Sequence, residues 1–336
     1  MDLVGKKVLI TGAAGFIGSN LVKSLSNIEG IKIFALVRKN SNTNVIKKYD
    51  INILYGDIKN FDFINKLSQY LIHHEISVII HTAARVSASG SLKEFEQTNV
   101  DGTENIIKAT IKSHLIKRFI YISSTSVYGS SREEGVPINE NAPLKKSGMP
   151  YSDTKIEAEE VVKRYVKETS LPAVVIRPGE VLGYESVWFY PLIRNIKLRK
   201  IFLVNGGVGL MNFIWIDDLI DAIILTILKD KSIGQSYNIT YGTPIKFGTY
   251  FTDICYLIGY SKPKSIPYFL GYIVALLSEF VAKISGIETE RTRYMINYLL
   301  FMRRINSQKA IRELGWNPKF NYEQVIYKFK IHLLAK

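Results

Sequence analysis

The chain has 336 residues, one cysteine and a formal net charge of +14, with 47% hydrophobic and 22% charged residues. That composition excludes a disulfide scaffold and a disordered chain, and leaves room for one large α/β unit or two adjoining domains. The lysines and arginines are dispersed rather than interleaved with aromatics, so the basic excess reads as a solvated surface and no nucleic-acid partner is expected.

Met1 to Lys7 passes almost directly into the apolar run Val8-Leu-Ile10, without the apolar core or cleavage site of a signal peptide. Together with the lone Cys255, this suits a reducing, cytoplasmic setting. Short β-branched runs at 7–11, 31–37, 51–55, 77–82, 118–123 and 173–177 read as strands. Each is nearly continuously apolar, as parallel strands buried on both faces should be. Helical patterns lie between them at 17–26, 61–73, 98–113 and 152–169. The alternation predicts a doubly wound parallel sheet that binds ligands at the carboxyl ends of its strands.

After Pro178 the rhythm loosens. A helix over 191–198, the glycine-rich Asn205-Gly-Gly-Val-Gly209, a helix over 217–228 and a strand over 236–240 lead into mostly helical sequence from Phe247. The expected organisation is a nucleotide-binding domain over 1–178, with segments returning near 211–241, and a smaller substrate lobe over 179–336. The uncharged stretch 266–277 is too short to span a bilayer. It is expected to be a helix lining a greasy pocket, with peripheral membrane contact through 266–284 as the lesser alternative.

Thr11-Gly-Ala-Ala-Gly-Phe-Ile-Gly18 follows the first strand and opens the first helix. Gly12 would permit the tight turn, Gly15 the close approach of a pyrophosphate and Gly18 tight helix–sheet packing, with the diphosphate on the helix N-terminus. Further on, Tyr151 and Lys155 stand one helical turn apart after a proline. A phenol with pKa near 10 needs a neighbouring cation to exchange protons at neutral pH, and the lysine could supply it. Tyr55 with Lys59 and Tyr260 with Lys264 share the spacing, but the first pair crosses a Gly-Asp turn and Pro263 interrupts the second. Asp217 and Asp218 have no partner pattern for a metal and read as helix N-terminal charge.

In order along the chain stand Thr11-Gly-x-x-Gly-x-x-Gly18, Gly56-Asp57-Ile58, His81-Thr-Ala-Ala84, Asn99-Val-Asp-Gly-Thr103, Tyr121-Ile-Ser-Ser-Thr-Ser-Val-Tyr-Gly129, Tyr151-x-x-x-Lys155, Ile176-Arg-Pro-Gly179 and Leu314-Gly-Trp-Asn-Pro318. This series resembles the extended short-chain dehydrogenase/reductase superfamily, the NAD-dependent epimerase/dehydratase family, over nearly the whole chain. The resemblance implies a Rossmann-type α/β fold and a homodimer. It implies catalytic Ser124, Tyr151 and Lys155, and selects Ser124 from the adjacent hydroxyls Ser123, Thr125 and Ser126. Cofactor contacts are expected from Gly12, Gly15, Phe16, Ile17, Gly18, Arg38, Asp57, Ile58, Thr82, Ala83, Ala84, Asn99, Tyr151, Lys155 and Pro178. His81 reads as a packing histidine.

The segment from Leu36 to Asn42 contains no acid to hold an adenosine ribose, and Arg38 could pair with a 2′-phosphate. NADP(H) is therefore expected over NAD(H). In such enzymes an arginine usually precedes the segment that here reads Asn212-Phe-Ile-Trp-Ile-Asp217; Met211 holds its place, and Trp215 replaces a common histidine. With the greasy stretch near 266–282, this points to a small hydrophobic alcohol or ketone substrate, nearest the 3β-hydroxysteroid dehydrogenase and dihydroflavonol reductase-like branch. A nucleotide-sugar epimerase/dehydratase that retains NAD is the alternative, with Arg194, Arg199, Arg293 and Arg303 left to meet phosphates. A cofactor-binding protein without turnover is the minor one.

Overall fold

A computed structural model describes residues 3–335 except 88–89, 287–288 and 290. Six strands, β1 (Lys7–Thr11), β2 (Lys32–Val37), β3 (Asn52–Tyr55), β4 (Val78–His81), β5 (Arg118–Ile122) and β6 (Ala173–Pro178), join a seventh, Ser236–Ile239, in one parallel sheet. Its order is β3-β2-β1-β4-β5-β6 and then the seventh strand.

The apolar runs are explained by burial on both faces, because successive side chains alternate across the sheet. Val8, Ile10, Val78, Ile80, Ile120 and Ile176 enter one core with α1 (Phe16–Leu25). Leu9, Phe34, Ile79, Phe119 and Val175 enter the other with α2 (Phe61–His73). Each fully buried Leu or Ile contributes about 1.5–3 kcal/mol. A charge at any of these positions would break a layer.

The helix expected at 98 begins earlier. Ser91 and Glu94 form a capping box on the short α3 (Leu92–Phe95), which continues through a π-helical stretch, Glu96–Asp101, into α4 (Gly102–Ser113). Then α5 (Pro150–Thr169) starts with proline in its first turn, where the missing N–H costs nothing, and ends on Ser170 in the left-handed region. Its buried face includes Lys155, Ala158, Glu159 and Val162.

Beyond β6 come α6 (Phe189–Lys197), α7 (Ile216–Leu228), α8 (Phe247–Leu257), α9 (Tyr268–Ser285), α10 (Arg293–Tyr298), α11 (Gln308–Leu314) and α12 (Tyr322–Leu334). Leu219 and Ile223 of α7 complete the core over α1. Short two-stranded ribbons stitch this region together: Glu180–Leu182 with Phe213–Trp215, and Phe202–Val204 with Lys264–Ile266. They are too short to leave a periodic signal in the sequence.

Candidate functional site

The strand order reverses between β1 and β4, and the loops leaving those two strands touch. Thr82 Oγ1 donates to the Thr11 carbonyl at 2.7 Å, and Ala83 N–H donates to Thr11 Oγ1 at 3.2 Å. Gly12 turns the chain with φ +65°, and a Cβ there would lie 2.8 Å from the Ala83 backbone. A Cβ on Gly18 would lie 2.3 Å from the Gly12 carbonyl oxygen. With Gly15 as the N-cap of α1, the backbone stays bare where a diphosphate would meet the first-turn amides. This cradle fits a dinucleotide, and any side chain at Gly12 or Gly18 would deform it.

A cavity of about 1600 Å³ runs across these strand ends. Single-ligand pockets occupy roughly 300–1,000 Å³, so this one has room for a dinucleotide and a second large ligand. Gly12, Gly15, Phe16, Ile17 and Gly18 form part of its wall. Arg38, Asp57 and Ile58 line it from the ends of β2 and β3. Thr82, Ala83, Ala84 and Pro178 continue the lining, and Ser124, Tyr151 and Lys155 join them.

Asn99 is not at this wall. It is buried inside the π-helical stretch, where Oδ1 accepts from Arg85 N–H at 2.7 Å and Nδ2 donates to Thr154 Oγ1 at 3.1 Å. It braces the loop after β4 against α5. His81 is buried between Thr11 Oγ1 at 2.7 Å and Thr103 Oγ1 at 3.0 Å, and burial pushes its pKa down to about 3.

The four adjacent hydroxyls separate by environment. Ser123 is buried and donates to Glu159 at 2.7 Å. Thr125 is buried in the turn, and Ser126 Oγ is buried without a hydrogen-bond partner among the described residues. Ser124 alone of the four is hydrogen-bonded to Tyr151, and its Oγ also caps the following turn by accepting from Ser126 N–H at 3.1 Å.

Lys155 donates from Nζ to the Ile122 carbonyl at 2.7 Å and lies 4.7 Å from the centre of the Tyr121 ring. Burial pushes its pKa down to about 7, against the opposing pull of Glu159. Burial also pushes the Tyr151 phenol up to about 12, and the counterweight is its hydrogen bond with Ser124 rather than Lys155. Desolvation disfavours the charged form of both groups, so it outweighs the lowering expected from the Tyr–Lys spacing.

Glu180 carries no signal in the sequence beyond its place just after Pro178-Gly179. It lines the cavity, accepts a hydrogen bond from the Tyr298 hydroxyl, and leaves a buried Oε2 with no partner among the described residues. The residue is partly exposed as a whole, but its carboxyl is shielded and burial raises its pKa to about 7. Tyr294 adjoins it, in hydrogen-bond contact with Ser152 at 3.2 Å.

The substrate side differs from expectation. Met211 lines the cavity, but Trp215 is buried in the core with Nε1 donating to Asp217. Arg293 is tied to Glu279, and Arg194, Arg199 and Arg303 are not in the wall. Lys200 and Arg291, both exposed, line it instead. Of the greasy helix, only Gly271, Val274 and Ala275 reach the cavity.

Residues 8–240 match the model described as the NAD dependent epimerase/dehydratase family. The chain is 31% identical over 260 residues to dTDP-D-glucose 4,6-dehydratase of Dictyostelium discoideum, covering 71% of this chain and 59% of that protein. It is 27% identical over 339 residues to the human protein of the same name, covering 96% and 88%. The fold matches DesIV, a dTDP-glucose 4,6-dehydratase from Streptomyces venezuelae, with TM-score 0.77 and 19% identity over 97% of this chain and 96% of that one.

Two expectations are corrected by these findings. DesIV and four other solved structures of this fold are complexes with NAD, which overturns the preference for NADP(H). Arg38 was a poor discriminator, because a guanidinium at that rim can lie across an adenine face as well as pair with a phosphate. The small hydrophobic substrate, and the steroid-dehydrogenase-like branch, give way to the nucleotide-sugar enzymes named among the relatives. Physically, the missing arginine at Met211 did not remove cations from the wall, and the large apolar side chains of α9 point elsewhere.

Proposed function

Because this chain belongs to the NAD dependent epimerase/dehydratase family, we propose that it is an NAD-dependent oxidoreductase that oxidises a hydroxyl of a nucleotide sugar and returns the hydride within one catalytic cycle. The observation that carries this reading is the meeting of Ser124, Tyr151 and Lys155 in one cavity, large enough for two nucleotide-sized ligands. NAD, when bound, supplies the hydride acceptor and donor.

In this reading the bare backbone around Gly12, Gly15 and Gly18 holds the diphosphate of NAD, with Arg38, Asp57 and Ile58 at its adenosine end. Tyr151 takes the proton of the sugar hydroxyl at its phenolic oxygen and later returns it. Ser124 orients that same sugar oxygen through its hydroxyl. Lys155, already held by the Ile122 carbonyl, turns its remaining N–H donors to the nicotinamide ribose and keeps a positive charge near the phenolate. Glu180 offers its unpartnered Oε2 to another sugar hydroxyl. Lys200 and Arg291 meet the diphosphate of the substrate, where two exposed cations gain little alone but add direction.

The test is incubation of purified protein with UDP- and dTDP-hexoses, without added reductant, followed by chromatography of the products. Conversion of one of them, abolished in Tyr151→Phe, is the expected result. Redox of added NADP(H) with simple ketones and no action on any nucleotide sugar would overturn the reading.

A further inference from the structure

The inverted amphipathicity of α9 has no role in the chemistry above. Helical spacing puts Phe269, Ile273, Leu276, Phe280 and Ile284 on one stripe, and Leu270, Val274, Leu277 and Val281 on the next. All nine are exposed, from 42% at Leu270 to 71% at Ile284. The opposite side is small: Gly271 and Ala275 are buried, with Gly271 facing Val204, Ile266 and Ile296. A surface helix ordinarily turns its large apolar residues inward and its polar ones to water. Here the order is reversed, and the exposed apolar area is on the order of 900 Å², above the roughly 300–600 Å² typical of a monomer's largest patch.

The outward arc carries no acid, and its one charge is the exposed Lys283 at its margin. The other charged residue of α9, Glu279, accepts from Arg293 Nε at 2.7 Å. Two segments that lead to the helix, 187–204 and 255–267, carry cations and no acids, while Glu133 and Glu134 follow Arg132 where it packs on Tyr268. Phe202–Val204 pairs in parallel with Lys264–Ile266, placing Lys264 opposite Phe202. The segment leading into the first of these strands carries Lys197, Arg199 and Lys200, and the second carries Lys264 with Lys262 just before it; all five are exposed. Leu198 and Phe202 are exposed among them, at 55% and 48%. No Asp or Glu occurs between Ser186 and Ile216, or between Ile254 and Ser278.

We infer that α9 and this cationic approach form a peripheral docking surface for an anionic phospholipid bilayer, with α9 lying in the interfacial plane. An acid-free apolar arc beside a rim of lysines matches acyl chains beneath anionic headgroups in both shape and charge. Lysine stems can lie on the apolar layer while their ammonium groups reach the phosphates. A second copy of the chain fits less well, since a two-fold contact would set the same cationic surface against itself. By length and composition α9 could cross a bilayer, but spanning is disfavoured because its inner side, Gly271 and Ala275, is packed against the protein and lines the cavity, with Val274 at the margin. Lys200 and Phe202 belong to both the cavity wall and the docking surface, so docking would bring the substrate side of the cavity next to the headgroups.

The test is co-sedimentation of the full chain with vesicles of phosphatidylcholine, alone or mixed with phosphatidylglycerol. Binding to the mixed vesicles is expected, weaker on phosphatidylcholine alone, and reduced when salt is raised from about 0.1 M to about 0.5 M. The double variant Ile273→Glu with Phe280→Glu should lose at least about tenfold in vesicle affinity. Neither residue lines the cavity, so its thermal midpoint and nucleotide-sugar turnover should stay near wild type. Lys262→Glu with Lys264→Glu should lose the preference for phosphatidylglycerol. Failure of the wild type to sediment would overturn the inference, as would equal sedimentation of the Ile273/Phe280 variant. So would a wild-type dimer that this variant converts to monomer while vesicle binding is nil.

Discussion

Glu159→Gln tests how a buried ion pair supports the proton chemistry. Glu159 lies one helical turn after Lys155 on the inner side of α5, and its side chain is fully buried. Arg177, at the end of β6, grips it with Nε at 2.9 Å from Oε1 and Nη2 at 2.6 Å from Oε2. Ser123 donates to the same carboxylate, and Arg177 Nη1 donates to the Tyr128 hydroxyl at 2.7 Å. The amide can accept only through one oxygen and carries no charge, so Arg177 is left buried without its counter-ion. Breaking such a pair from one side costs about 3–5 kcal/mol. At about 2 °C per kcal/mol for a chain of this size, the thermal midpoint should fall by about 6–10 °C. Glu159 also raises the pKa of Lys155, so its removal should push that group below its value of about 7. The alkaline limb of the activity profile should then move to lower pH, because fewer Lys155 side chains carry a proton at neutrality. Thermal unfolding and a pH–rate profile measure the two effects, and Glu159→Leu with Arg177→Met should recover part of the stability. An unchanged midpoint in Glu159→Gln would refute the energetic argument. A lost midpoint with an unmoved alkaline limb would refute the coupling to Lys155.

Gly12→Ala should abolish NAD binding by at least about tenfold while the chain still folds, because the new Cβ meets the Ala83 backbone at 2.8 Å in a left-handed turn; titration with NADH fluorescence reads it, and retained affinity would contradict the cradle. For Glu180→Gln, the acidic limb of kcat/KM should disappear, since the carboxyl with pKa near 7 must ionise on the way up to accept from the sugar. An unaltered profile in that variant would remove Glu180 from the site. Acidification should weaken the fold through His81: its unfolded imidazole takes a proton below about 6.5 and the folded one not until about 3, so stability falls as pH drops through that window. Urea midpoints taken from about pH 7 to about pH 4 should decline less steeply in His81→Asn, and parallel declines would exclude the histidine.

Burial on two faces made the parallel sheet readable in the sequence. Val8-Leu-Ile10 and Val78-Ile-Ile80 are apolar at every position because each neighbour serves a different core, and that requirement leaves a run rather than an alternation. The glycines were equally legible, since Gly18 is held by backbone contacts within one short loop and Gly12 by its left-handed turn against the Ala83 backbone. The cavity wall was harder where it draws on distant segments. Glu180 acquires its role only when Tyr298, more than a hundred residues away, closes over it. Asn99 was expected near the cofactor from the family resemblance alone, and in the structure its side chain bonds the Arg85 backbone from inside the π-helical stretch.

The errors about substrate share one cause. Composition says how apolar a segment is, but orientation decides what the apolar atoms touch. In α9 the decisive residues are Gly271 and Ala275, one turn apart, because only small side chains let the helix approach Val204 and Ile296 closely. Once that stripe faces inward, periodicity forces Phe269, Ile273 and Phe280 outward, away from any substrate. Likewise Met211 removes one cation from a wall that Lys200 and Arg291 reach from other segments. A greasy stretch whose small residues repeat at four-residue spacing should therefore be read first for what lies outside it, and here that reading leads from a substrate pocket to a lipid surface.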